Sequence, residues 1–192
     1  MAAATLLAGT GGCLFDTRAP IPPTTVGQCP LVVLSAPDSV WNGLIQAFAC
    51  RDSAGSPTGG GNYEAIIAED FVFRPDPADS AEFVSIDPSN AQFIVNWTHS
   101  VEVAVFNSLA AGTDSMSLGF TNRGQTGLDL QADYVLTTYN HDDSLRVIIA
   151  TYQGQVRLSL NSGSYRIRSW DDIREAGDSW GRLKLAIRQR GT

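Results

Sequence analysis

No apolar run in this sequence of 192 residues reaches the length of about 20 residues that a helix needs to cross a bilayer. Its three cysteines and two histidines fall into no grouping with the spacing of a zinc site. The glycine run 59–61 lacks the lysine and the Ser/Thr of a phosphate-binding loop, so it reads as a flexible linker. Asp76 and Asp79 lie among prolines and match no calcium loop, so that stretch reads as a solvated turn. There is no basic tract, and the net charge is −7. An acidic chain without such a tract is a poor nucleic-acid binder, and that class is set aside. No Ser/His/Asp or Cys/His grouping can be assembled from the order of residues. His99 reads as a surface or capping histidine, and His141, beside Asp142 and Asp143, as a solvated turn residue.

What is present is unevenly distributed. Residues 1–143 hold 16 acids and 4 arginines, whereas residues 144–192 hold 9 bases and 4 acids. The late bases, Arg166, Arg168, Arg174, Arg182 and Lys184 among them, are expected to meet acidic faces of the same domain, the alternatives being a partner or anionic headgroups. Residues 1–12 are small and apolar and lead through Gly11-Gly12 into Cys13. That order resembles the end of a bacterial lipoprotein signal, which implies lipid attachment at Cys13 and a periplasmic, membrane-anchored chain; the alternative is a plain terminus. With Cys13 so used, Cys29 and Cys50 are left as a candidate disulfide, the alternative being two free thiols.

Residues 13–36 read as the anchor cysteine followed by a proline-rich tether, and residues 37–192 as one folded domain. Pro37 opens a helix whose stripe is Val40, Trp41, Leu44, Ile45, Ala47 and Phe48. A second helix is expected to run to Asp70 and to pass directly into a strand at Phe71-Val72-Phe73. A third begins around Thr98, with Val101, Val105 and Leu109 on one face. After Gly112 the period becomes two. Met116, Leu118 and Phe120 share one strand face, Ala132, Tyr134 and Leu136 another, and a long strand runs from Leu145 to Leu160. Both faces of that strand are apolar at its beginning, which predicts that both are covered there. Asn161-Ser162-Gly163-Ser164 is a hairpin turn, and a short helix after Ser179 closes the chain.

Residues 63–75, residues 97–109 and the closing Tyr165-Arg166-Ile167-Arg168-Ser169-Trp170-Asp171-Asp172 together resemble the NTF2-like superfamily, also called SnoaL-like or cystatin-like, including its lipid-anchored bacterial members. The resemblance implies an α+β fold in which three helices pack on a curved, mainly antiparallel sheet, a cone, with a short C-terminal helix. It also implies, for its enzymes, a carboxylate inside the cone, and for some members a homodimer through the outer sheet face, where Val135, Val147 and Ile149 are candidates here. No inward acid is evident, so no catalytic residue, metal or cofactor is assigned. Tyr63, Phe120, Tyr134 and Tyr152 are candidates to line the cone. The expectation is therefore a non-enzymatic binding or accessory domain docked on a membrane protein complex, with an isomerase- or hydrolase-like enzyme, or a carrier of a small apolar ligand, as the alternative.

Overall fold

The computed structural model describes residues 29–191 except 53 and 176. The apolar tail and Cys13 lie outside the described residues. Helix α1 (Pro37–Ala49) starts on Pro37, and Ser39 Oγ donates to the Ala36 carbonyl at 2.5 Å; Val40, Trp41, Leu44, Ala47 and Phe48 are buried. Cys29 and Cys50 form a disulfide with a Cα–Cα distance of 5.8 Å. In the chain-entropy model, closing a loop of this size stabilises the fold by about 3 kcal/mol. Within the expected tether, Val32 and Leu34 pack on the core, and Asn62 Nδ2 donates to the Pro30 carbonyl at 3.0 Å.

Helix α2 (Gly60–Ile66) ends earlier than expected, and strand β1 (Ile67–Arg74) begins at once. Residues 67–70 have helical composition, but Ile67 is captured by Ile167 in a parallel ladder. The register then slips before Val72 meets Ser169, so Ala68 to Asp70 occupy an irregular stretch of strand. Tertiary pairing outweighs local propensity there. The supposed turn after Pro75 is in part a helix, α3 (Pro77–Ile86), capped by Asp76, whose Oδ1 accepts from Ala78 N–H at 2.7 Å. A 3₁₀ turn (Pro88–Asn90), α4 (Ala91–Val95) and α5 (His99–Ala111) follow, the last capped by Thr98.

Strands β2 (Ser115–Thr121), β3 (Asp129–His141), β4 (Val147–Leu160) and β5 (Ile167–Ile173) then lead into α6 (Trp180–Gln189), capped by Ser179. The sheet order is β1-β5-β4-β3-β2, antiparallel except for the β1–β5 pair. The α+β class holds, but the described residues carry six α-helices where three and a closing one were expected. Gly154 permits close approach: a Cβ there would lie 2.6 Å from the Ile173 carbonyl oxygen and 3.0 Å from the Tyr134 hydroxyl.

The start of β4 departs from expectation. Val147, Ile148 and Ile149 are 57%, 51% and 60% exposed, so both faces are bare where both were expected to be covered. The cause is strand length. β5 pairs only with Gln155–Leu160, and the preceding half of β4 runs past it with β3 as its sole ladder partner among the described residues.

Candidate functional site

The interior between the sheet and the helices is where a cone-type site would lie, and side chains fill it. Phe48 packs edge-on against Tyr63, Phe106 and Trp180 at centroid distances of 6.1, 5.0 and 4.8 Å, while Tyr63 stacks on Phe106 at 4.0 Å. Trp180, the first residue of α6, also meets Trp170 at 4.4 Å. An amphipathic helix after strand β5 thus carries an indole into the middle of the sheet's inner face.

The same helix brings the chain's single lysine into the core. Lys184 is 1% exposed, and its Nζ donates to Glu102 Oε1 at 2.5 Å. Glu102, on the first turn of α5, is fully buried; it also accepts from the Tyr63 hydroxyl at 2.5 Å and from Trp97 Nε1 at 2.7 Å. The ammonium lies 4.5 Å from the ring centre of Phe73, 4.1 Å from Trp170 and 4.7 Å from Trp180. Burial pushes the Lys184 ammonium down from its usual range, and Glu102 opposes that shift. Burial and the neighbouring Glu102 hold the Tyr63 phenol far above its own. A charge pair with this many donors and ring faces around it is satisfied from every side.

A second polar group lies at the N-terminus of α6. Gly181 N–H donates to Asp172 Oδ2 at 2.9 Å, Trp180 N–H to the Tyr134 hydroxyl at 2.8 Å, and Arg182 N–H to Ser179 Oγ at 3.0 Å. Ser179 in turn donates to Asp79 at 2.5 Å, and Asp79 pairs with Arg174 at 3.0 Å. Arg182 bridges Glu82 at 2.5 Å and Asp178 at 3.0 Å. These contacts satisfy helix N–H groups that would otherwise be orphaned inside the protein. They bear out, for Arg174 and Arg182, the expectation that late bases meet acids of the same domain, as the Arg168–Asp70 pair at 3.0 Å does for Arg168.

Asp172 is the buried acid that sequence reasoning missed. Desolvation raises its carboxyl above the ordinary range, against the Tyr134 hydroxyl, Gly181 N–H, Lys184 and Ser179. A group whose folded pKa is raised contributes its stability below the unfolded value and loses it as pH rises through the folded one. Asp172→Asn is therefore expected to be least favourable, relative to the native chain, below pH 4, and to gain on it as pH rises toward neutrality. Urea unfolding at a series of pH values reads this; a constant difference would refute the assignment.

Tyr63 and Tyr134 are fully packed within this core. Phe120 rests on Trp41 at 4.7 Å, and half-buried Tyr152 lines a surface cleft of ≈ 200 Å³ with Leu109, Thr138, Ile187 and Arg190. A second cleft, ≈ 180 Å³, lies between α3 and α6 along Phe83, Ile86, Arg182 and Leu185. Both open to solvent and are small beside the 300 Å³ or more of a typical ligand pocket. His141 Nδ1 lies 2.8 Å from Asp114 at the exposed end of β3, and Asp133 faces outward to Asn122. Tyr134 and Asp172 are a second tyrosine–acid pair beside Tyr63 and Glu102; the Tyr134 hydroxyl and Asp172 Oδ2 are engaged by the backbone of α6, whereas Asp172 Oδ1 is buried without a hydrogen-bond partner. No cluster of three or more His, Cys, Asp or Glu side chains suited to a metal exists among the described residues.

The architecture is similar to that of NTF2-like proteins. A cystatin-fold protein from Novosphingobium aromaticivorans matches 72% of this chain and 98% of its own, at 11% identity and a TM-score of 0.49. A Δ5-3-ketosteroid isomerase from a Mycobacterium species matches 73% and 94%, at 11% identity and a TM-score of 0.49. An NTF2-like protein of unknown function from an Exiguobacterium species matches 72% and 99%, at 8% identity and a TM-score of 0.45. Neither a family model nor a curated protein matches the sequence. At these identities and scores the likeness is one of shape and carries no residue role or activity to this chain.

Proposed function

We propose that this chain is a non-catalytic binding domain of the cell envelope, anchored by lipid at Cys13, held on the periplasmic side of a membrane and docked on a membrane protein complex. The observation that carries the reading is the filled interior. α6 places Trp180 and Lys184 where an NTF2-like enzyme or carrier would hold its ligand, and the Lys184 ammonium and the N–H groups of Trp180 and Gly181 are spent on internal contacts. What the fold leaves available is its outside. Val135, Val147 and Ile149 expose 46%, 57% and 60% of their surface on the outer sheet face, the surface offered to the complex or to a second copy.

Asp172, with its raised pKa, is the feature that favours the alternative of a cone enzyme. It is buried and lines neither of the two clefts described above, and its Oδ2 already caps α6. The anchor is tested by the intact mass of protein extracted from membranes. Loss of residues 1–12 with a lipid adduct on Cys13 is expected; an unmodified Met1 terminus would remove the anchor from the account.

A further inference from the structure

The bare half of β4 is an edge as well as a face. At the turn that joins β3 to β4, Asp142 N–H bonds the Arg146 carbonyl, which sets the even-numbered residues of β4 toward β3. The odd-numbered ones point the other way: residues 155, 157 and 159 meet β5, and Gln153 N–H bonds the Asp178 carbonyl at 3.1 Å. Val147, Ile149 and Thr151 therefore aim their backbone N–H and C=O groups at the side β5 does not reach. No backbone partner for them on that side exists among the described residues. Sheet edges are ordinarily guarded by charge, proline or a bulge. β1, at one margin of the sheet, carries Glu69, Asp70, Arg74 and an irregular register. Residues 147–153 carry no charge and no proline.

We infer that this edge takes a strand from a second copy of the chain, β4 against β4, antiparallel about a two-fold axis at Ile149. The sequence is complementary to itself in that register. Val147 faces the partner's Thr151, and Ile149 faces the partner's Ile149, so the three outward-pointing residues form about six interchain hydrogen bonds. On the inner face Ile148 lies opposite the partner's Ala150, a large side chain against a small one. Arg146 comes opposite the partner's Tyr152, a cation beside an aromatic ring, whereas parallel pairing would set Arg146 beside its own copy. This goes beyond face docking, because the contact is made by backbone groups of one strand and leaves Val135 on β3 outside it.

Two substitutions separate the edge from the face. Thr151→Pro removes an N–H aimed at the edge and leaves the ladder to β3 intact. Val135→Lys charges the outer face and leaves the edge intact. Sedimentation velocity of the full chain is expected to show a dimer, weakened at least ten-fold by Thr151→Pro and unchanged by Val135→Lys. Amide exchange on the native chain supplies a readout that needs no variant to fold. The amides of Val147, Ile149 and Thr151 are expected to be protected when the chain is dimeric and to exchange freely on dilution, while those of Ile148 and Ala150 stay protected throughout. A chain monomeric at every concentration, a dimer insensitive to Thr151→Pro, or protection of the odd-numbered amides only in a mixed complex from native membranes would overturn the inference. Loss of the dimer with Val135→Lys, beside free exchange of those amides, would overturn it in favour of the face.

Discussion

Lys184→Met alone is expected to lower stability by about 3–5 kcal/mol, because it leaves the Glu102 carboxylate buried without its counter-charge. For a domain of this size that corresponds to a fall in Tm on the order of 10 °C. The loss is one of balance and not of an intrinsically strong bond, so a second substitution should repair it. With Glu102→Gln added, Trp97 Nε1 still donates to the side-chain oxygen, and the new amide donates to the Tyr63 hydroxyl, which turns from donor to acceptor. The double variant is expected to regain more than half of the loss, because no charge remains to be desolvated. Thermal melts of the two single variants and the double complete the cycle. A cost below 1 kcal/mol for Lys184→Met would mean that water reaches Glu102, and the description of a filled interior would fail.

Trp180→Ala tests the other half of the plug. The indole is 2% exposed and is bordered by Phe48, Tyr134 and Trp170. Its removal is expected to destabilise the fold by about 3–5 kcal/mol and to leave a cavity walled by aromatic rings and the Lys184 ammonium. Indole in the buffer should then enter that cavity and raise the Tm of the variant without affecting the native chain, as linkage requires of a ligand that binds the folded state alone. Raised Tm in both proteins would reveal a ligand space already open in the native cone. That result would favour the carrier reading.

The sequence disclosed those elements whose periodicity and caps agree with their tertiary setting. α1 follows from Pro37 and its stripe, α5 from Thr98, and α6 from Ser179. The end of α2 did not follow, because residues 67–70 are helical in composition and are held extended by a parallel partner a hundred residues away. α3 was hidden because proline and aspartate, which mark turns, here serve as first-turn proline and N-cap. The interior charges were least legible. Glu102 shares a helical face with Val105, Phe106 and Leu109, and Lys184 follows Trp180 by one turn, so each sits in an apolar stripe as an unexplained charge. Those two interruptions, of opposite sign, were the available signal for a buried pair. The bare start of β4 was misread for a different reason: apolar residues on both faces report that something covers them, and not that the same chain does.

Solubilising native membranes in mild detergent and measuring the size of the particle that contains this chain tests the central claim most directly. A docking domain predicts stoichiometric migration with a large complex, persisting through a second separation. Migration alone, as monomer or dimer, would contradict the docking role and return the question to the interior of the cone.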